Sequence, residues 1–302
     1  MTSTPLTSAT LRAALAAQTR HALQCGALQP IDTVLTHLDD GGVRFAVRQV
    51  SSLARKEQAR RTEVAESAAP RRNPFLPCDD DLCVGTLSPT HLALLNKYNV
   101  IDDHLLIVTR RFVPQEALLD HDDFAALLVA LRGFDALGFY NGGAAAGASQ
   151  PHKHLQAVPL PLDDATETAV PMEVLWQSAL VANGIARVPG LPFAHALAAL
   201  DLLQGGADEA ARHAWRTYRA LLDAVGIGAI DVAGLAHQRA PYNLLVTRRW
   251  MLVVPRTQEC VDGMSINALG FAGSLFVRDA QQCAALAHIG PMTALARVAQ
   301  PR

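Results

Sequence analysis

The stretch from Gly138 to Leu162, GFYNGGAAAGASQPHKHLQAVPLPL, restricts the fold of this chain more than any other. A run of small residues passes through Pro151 into alternating polar and apolar positions. Proline disfavours the α conformation in the residue before it, so any helical tendency of Ala144, Ala145 and Ala146 must end by Gln150, and the chain leaves the loop extended. Alternation along a strand then places His152, His154 and Gln156 on one face and Lys153, Leu155 and Ala157 on the other. Pro159 and Pro161 end the strand. The glycines upstream let backbone N–H groups meet phosphate oxygens, and the imidazoles that follow suit attack on phosphorus or proton transfer. The motif alone does not decide: with eleven histidines in 302 residues, an accidental His-x-His arises about a third of the time. A Gly/Ala loop leading into an ordinary amphipathic strand stands beside the catalytic reading.

Leu11, Leu15 and Ala22 lie near helical spacing and predict a helix over 5–24 that stops around Gly26. After the turn Asp39-Asp40-Gly41-Gly42, alternation over Val43–Arg48 predicts a half-buried strand. Two prolines bracket Asn73-Pro74-Phe75-Leu76-Pro77 and predict a rigid extended connection towards Leu82–Val84. Strands over His91–Val100 and His104–Thr109 are expected to pair through Ile101-Asp102-Asp103. The polar group Asn96-Lys97-Tyr98-Asn99 inside that hairpin needs partners, from a bound nucleotide or from hairpin capping. Asp120–Gly133 reads as a helix with acidic residues in its first turn. Further helices are expected over 173–181 and 208–225, the latter with Ala211, Trp215, Tyr218 and Leu222 as a core stripe. Tyr242–Val246 and Trp250–Val254 predict a second strand pair around Thr247-Arg248-Arg249, and the chain from Ser265 onward a loop and closing helices.

Half the residues are hydrophobic, enough for one large core or two intimate ones. The formal net charge of -2 gives no general electrostatic reason to expect nucleic acid or an anionic membrane as partner, so any anion site must be local. Five cysteines, none in a C-x-x-C pair, point to reduced thiols and away from a zinc site. No leader pattern or bilayer-length apolar run is present, and the cytoplasm is the expected compartment. Of 26 basic residues only Lys56, Lys97 and Lys153 are lysines. Arginine replaces lysine wherever a solvated charge suffices, but not where a compact ammonium is needed, so the three survivors are candidate site residues. Codon bias with chance leftovers is the competing explanation. Paired Arg248 and Arg249 are usually solvated, but beside a phosphate site they would bind the distal end of a polyphosphate.

Several stretches in order resemble the diadenosine tetraphosphate phosphorylases, or ATP adenylyltransferases, of the histidine triad superfamily. They are Ser51-Ser52-Leu53-Ala54-Arg55-Lys56, Asn73-Pro74-Phe75-Leu76-Pro77, Leu95–Val100, His104–Thr109, Gly147–Gln156, Tyr242–Thr247, Val253–Arg256 and Leu269–Gly273. The resemblance implies an α+β fold, a histidine-triad-like antiparallel sheet flanked by helices with a co-folded C-terminal α/β portion. It divides the chain into a catalytic portion, 1–166, and an ATP adenylyltransferase portion, 167–302.

That resemblance also implies chemistry. His154 would attack the α-phosphorus of diadenosine tetraphosphate and expel ATP, and phosphate would discharge the adenylyl-histidine as ADP, reversibly. His152 and Gln156 would complete the catalytic set. Gln156 stands where hydrolytic relatives carry a third histidine, which favours transferase over hydrolase. Substrate contacts are implied for Lys56, Asn96, Lys97, Asn141, Gly147, Ala148, Ser149, Gln150, Asn243, Arg248 and Arg249, with Lys153 second-tier on the opposite face. A divalent cation, magnesium by expectation, would accompany the polyphosphate, with no protein-held metal and no tightly bound cofactor. The expected partners are nucleotides and phosphate, with no nucleic acid or membrane, acting on a monomer. The alternatives are a dinucleoside polyphosphate hydrolase, a nucleotidyltransferase using sulfate or a sugar phosphate, or a non-catalytic binder. Gly143-Ala144-Ala145-Ala146 ahead of Gly147, and arginines at 248 and 249 where lysines are frequent, depart from the pattern and bear on dinucleotide preference.

Overall fold

A computed structural model describes residues 4–50, 73–177 and 184–302. Helix α1 (Ser8–Cys25) buries Leu11, Leu15 and Ala22 and stops at Gly26, whose φ of 77° is left-handed and favours glycine. Strands β1 (Thr33–Asp40) and β2 (Val43–Val50) form a hairpin around Gly41 and Gly42. Next come β3 (Cys83–Thr86), β4 (His91–Leu95), β5 (Leu105–Thr109), α2 (His121–Gly133), β6 (Ala136–Gly142) and β7 (His154–Pro159). The C-terminal part supplies β8 (Ile185–Ala186), β9 (Ala196–Ala199), α3 (Ala207–Ala224), β10 (Ala229–Val232), β11 (Leu235–Gln238), β12 (Tyr242–Val246) and β13 (Trp250–Pro255). The hairpin β14 (Cys260–Val261) and β15 (Met264–Ser265), then β16 (Ser274–Val277), α4 (Ala280–Ile289) and α5 (Pro291–Val298), close the chain.

The main sheet is antiparallel throughout, in the order β3-β4-β5-β7-β6-β12-β13-β9-β8. The antiparallel α+β expectation therefore holds, and the β6–β12 ladder carries one sheet across the two portions of the chain. Helices α1, α2 and α3 cover one face, burying Leu127, Leu131, Tyr218 and Leu222 against Leu155 and Ala157 of β7. Contact there is close: a Cβ on Gly138 would lie 2.8 Å from a methyl of Leu127. The other face over β6, β12 and β13 is sealed by a second cluster including Phe139, Trp176, Phe193, Trp250 and Phe271.

Five expectations are corrected. β4 ends at Leu95 rather than Val100, and the connection to β5 is filled by its own bonds, such as Asn99 Nδ2 to the Ile101 carbonyl at 3.1 Å. Residues 74–77 are turns rather than an extended connection. The helix expected from Glu173 is a short 3₁₀ turn, Pro171–Leu175, with 178–183 outside the described residues. On α3 the buried stripe includes Ala214 while Trp215 is 36% exposed, because the buried arc of Ala210, Ala211, Ala214, Tyr218, Leu221 and Leu222 leaves position 215 at its margin. Strand β16 pairs in parallel with β2 where a loop was expected. Among the described residues no helix is long and apolar enough to cross a membrane.

Candidate active site

Strand β7 keeps its ladder with β5 as far as Val108 opposite His154, but its ladder with β6 ends at Phe139 opposite Gln156. Continued two rows, that register would set Asn141 opposite His154, and the Gln115 side chain is inserted between them. Its Nε2 donates to the Asn141 carbonyl at 2.9 Å and its Oε1 accepts from the His154 backbone N–H at 2.9 Å, so one amide imitates the missing strand. Tyr140 donates its hydroxyl to the Gln115 carbonyl, and Gln115 N–H donates to the Pro151 carbonyl at 2.8 Å. The two strands are thereby spread at the point where the histidines begin. Sequence reasoning missed Gln115, which sits in no motif.

The expected alternation holds. His154 is 4% exposed, and its Nδ1 lies 2.8 Å from the His152 carbonyl, a group that can only accept. The ring proton therefore sits on Nδ1, and Nε2 keeps its lone pair. Burial pushes the imidazole down to about 4, against a smaller upward pull from the bond to His152. At neutral pH the ring is uncharged, with one oriented lone pair.

His152 is placed differently. Its Nε2 donates to the Thr109 carbonyl at 2.8 Å, and its Nδ1 accepts from Asn73 Nδ2 at 2.9 Å. Asn73 is itself oriented, since its Oδ1 accepts from Phe75 N–H at 3.0 Å. Phe75 packs against both rings, with centroids 5.6 and 5.4 Å away. With both nitrogens bonded, His152 holds the strand and the carbonyl that orients His154. Gln156 Oε1 lies 2.9 Å from His104 Nε2, and His104 Nδ1 lies 3.2 Å from Asn96 Nδ2. Asn96 thus reaches the site through His104.

Ahead of the histidines, Ala144–Ala146 form a 3₁₀ turn closed by Gly147 at φ 90°. A Cβ on Gly147 would come within 2.9 Å of Asn267 Cβ and 3.1 Å of the Ile266 carbonyl, so the close approach this glycine allows is to the 266–267 loop. Asn243 donates to Asn141 Oδ1 at 2.9 Å and to the Ala146 carbonyl at 2.8 Å, and accepts from buried Arg256 at 2.5 Å. Fully buried and bonded to Asn141, Ala146 and Arg256, Asn243 supports the loop. Asn141 Oδ1 also accepts from Ala268 N–H at 2.9 Å. Ala148 N–H turns back onto the Gly143 carbonyl at 3.2 Å. Exposed Ser149 and half-buried Gln150 spend no backbone N–H on a partner among the described residues. Two donors at the lip of the loop are the arrangement that binds phosphate oxygens.

Lys97 follows Asn96, half-buried, with its ammonium 5.8 Å from the Tyr98 ring centroid. Lys56 lies outside the described residues. Lys153 projects to the helix side, where its Nζ meets Asp123 at 2.5 Å and the Leu118 carbonyl at 2.9 Å. Arg248 and Arg249 are not at the site. They lie in the turn after Val246, where β12 ends about 10 Å along the strand from Asn243 at 3.3 Å per residue. Arg248 donates to the Leu131 carbonyl on the helix face at 2.5 Å, and Arg249 pairs with buried Glu173 at 2.5 Å. With separate partners in the turn between β12 and β13, the two arginines do not form one pair.

Residues 1–178 match the family described as Ap4A phosphorylase N-terminal domain, and residues 189–301 that described as ATP adenylyltransferase C-terminal domain. The chain is 27% identical over 267 residues to diadenosine 5',5'''-P1,P4-tetraphosphate phosphorylase 2 of Saccharomyces cerevisiae, covering 79% of this chain and 78% of that protein. It is also 27% identical over 297 residues to protein APA1 of the same yeast, covering 86% and 84%. In fold it resembles the crystal structure of yeast Ap4A phosphorylase Apa2 in complex with Ap4A, with a TM-score of 0.76 at 23% identity over 97% of this chain and 98% of that one.

Proposed function

This chain belongs to the Ap4A phosphorylase family, and from that premise we propose that it is a nucleotidyltransferase that phosphorolyses diadenosine tetraphosphate to ATP and ADP, reversibly. The observation that carries the mechanism is the His154 tautomer: a neutral ring with Nδ1–H held by a carbonyl and Nε2 without a partner among the described residues. Nε2 attacks the α-phosphorus, the bond to the bridging oxygen breaks, and ATP departs with that electron pair. Phosphate then attacks the adenylyl-histidine, the P–N bond breaks, and ADP leaves with His154 restored. Splitting the transfer conserves the anhydride energy in the phosphoramidate.

The remaining groups bind and orient. Ser149 and Gln150 N–H groups meet the phosphate oxygens, Gln156 Nε2 donates to a non-bridging oxygen of the α-phosphoryl, and Lys56 and Lys97 neutralise the polyphosphate. Charge-assisted contacts of that kind contribute about 1.5 to 3 kcal/mol each. The divalent cation, magnesium first, enters as a companion of the polyphosphate. The cluster His21, Cys25 and Asp81, which could ligate a metal, lies exposed on the α1 side of the molecule. The enzyme acts as a cytoplasmic monomer on free nucleotides. Incubation with diadenosine tetraphosphate, with and without phosphate, followed by nucleotide separation, tests the reading. ATP and ADP in equal amounts, only with phosphate, support it. AMP and ATP without phosphate would make the protein a hydrolase, and turnover only with sulfate or a sugar phosphate would change the acceptor.

A further inference from the structure

We infer that His104, oriented by Asn96, is a positioning residue that fixes the Gln156 amide with its NH₂ group towards the phosphoryl under attack; this rests on the phosphorylase reading above. An amide can rotate by half a turn and exchange its oxygen for its nitrogen. In the wrong orientation Gln156 would present carbonyl lone pairs to a phosphate oxygen. A chain of bonds selects the right one. Tyr98 N–H donates to Asn96 Oδ1 at 3.4 Å, which leaves Asn96 Nδ2 to donate to His104 Nδ1 at 3.2 Å. With Nδ1 accepting, the ring proton sits on Nε2, which donates to Gln156 Oε1 at 2.9 Å. Gln156 Nε2 is then the only end of the amide able to face the substrate.

The fold builds this chain into the sheet. Asn96 N–H donates to the His104 carbonyl at 3.0 Å, one row beyond the Leu95–Leu105 pair, while Leu106 lies opposite Gln156 on the other side of β5. His104 is 8% exposed and packs on Phe139 at 5.7 Å between centroids. Asn96 and His104 therefore act through Gln156, two residues along the strand from the nucleophile.

Two measurements test it. In ¹⁵N-histidine-labelled wild type at neutral pH, His104 should show a protonated Nε2 and a bare Nδ1, and Asn96→Leu should erode that preference; a protonated Nδ1 in the wild type overturns the relay whatever the substrate is. In single-turnover adenylyl transfer from diadenosine tetraphosphate, Gln156→Ala should lose about 100-fold in rate, and His104→Phe about tenfold, with nucleotide affinity and melting temperature little changed. The double variant should be no slower than Gln156→Ala alone. Losses that multiply, or a His104→Phe rate equal to wild type, overturn the inference. Should His104→Phe not fold, Asn96→Leu with Gln156→Ala gives the same cycle. A wild-type protein that releases no ATP and ADP sinks the phosphorylase reading instead, and the ring nitrogens still decide the relay.

Discussion

The two faces of β7 and the extended residues leading into it handle polar groups in opposite ways, although the side chains alternate along one stretch of chain. On the helix side, Lys153 is 3% exposed and meets Asp123, which also bonds His91 at 3.0 Å. Burial alone would raise Asp123, but the bonds from His91 and Lys153 outweigh it and hold the carboxyl below its usual range. On the histidine side, His152 spends both nitrogens, whereas among the described residues His154 spends one and keeps the other. The first face is closed electrostatically; the second is closed except for one lone pair. Burial by itself does not mark a reactive group, and the tally of hydrogen-bond capacity does.

That contrast breaks first at His154. His154→Ala should lower single-turnover transfer by at least about 10⁴-fold, with the far-UV spectrum unchanged. Lys153→Met should act in the other currency. Removing one member of a buried ion pair costs about 3 to 5 kcal/mol, seen as an earlier midpoint in urea, while the rate per folded molecule stays within about threefold of wild type. A Lys153→Met enzyme of normal stability and abolished chemistry would invert the comparison.

A smaller effect comes from pH. The ordinary histidine value is 6.5, and burial lowers His154 to about 4 and lowers His152 as well. Above 6.5 these rings are neutral whether folded or unfolded. As pH falls below 6.5 the unfolded chain takes protons first, so stability present above that value is lost progressively towards pH 4. The adenylation step in phosphate-free buffer should stay flat from pH 8 to about 5, because the nucleophile remains unprotonated. A loss of rate centred near 6.5 would show a solvated imidazole. The smallest effect is expected at the far end of the sheet: Arg248→Ala should change the KM for diadenosine tetraphosphate by less than about twofold.

The strands around the site were legible because period-two alternation and bracketing prolines act locally: β12 matches its expected bounds, and β13 runs one residue past its expected end, to Pro255. The faces of His152, Lys153 and His154 followed from the same alternation. What escaped depends on long-range packing. Strand β1 carries mostly exposed or half-buried residues and shows no alternation. Trp215 fits a helical stripe by spacing, yet the arc of α3 that packs against its neighbours is centred closer to Ala214. Gln115 and His104 belong to the site only because the sheet brings residues 39 and 52 positions apart into contact with His154 and Gln156. Arg248 and Arg249 were misplaced because adjacency in a turn says nothing about which end of the sheet the turn occupies.

The adenylyl-enzyme is the most direct test of the account. With Gln156 in place of a third histidine, no neutral base among the described residues is positioned to take a proton from water, whereas phosphate arrives already anionic. Intact-protein mass spectrometry after mixing with diadenosine tetraphosphate in phosphate-free buffer should show one added AMP, absent in His154→Ala and discharged as ADP when phosphate is supplied. An unmodified protein mass with quantitative release of AMP in the same buffer would contradict it.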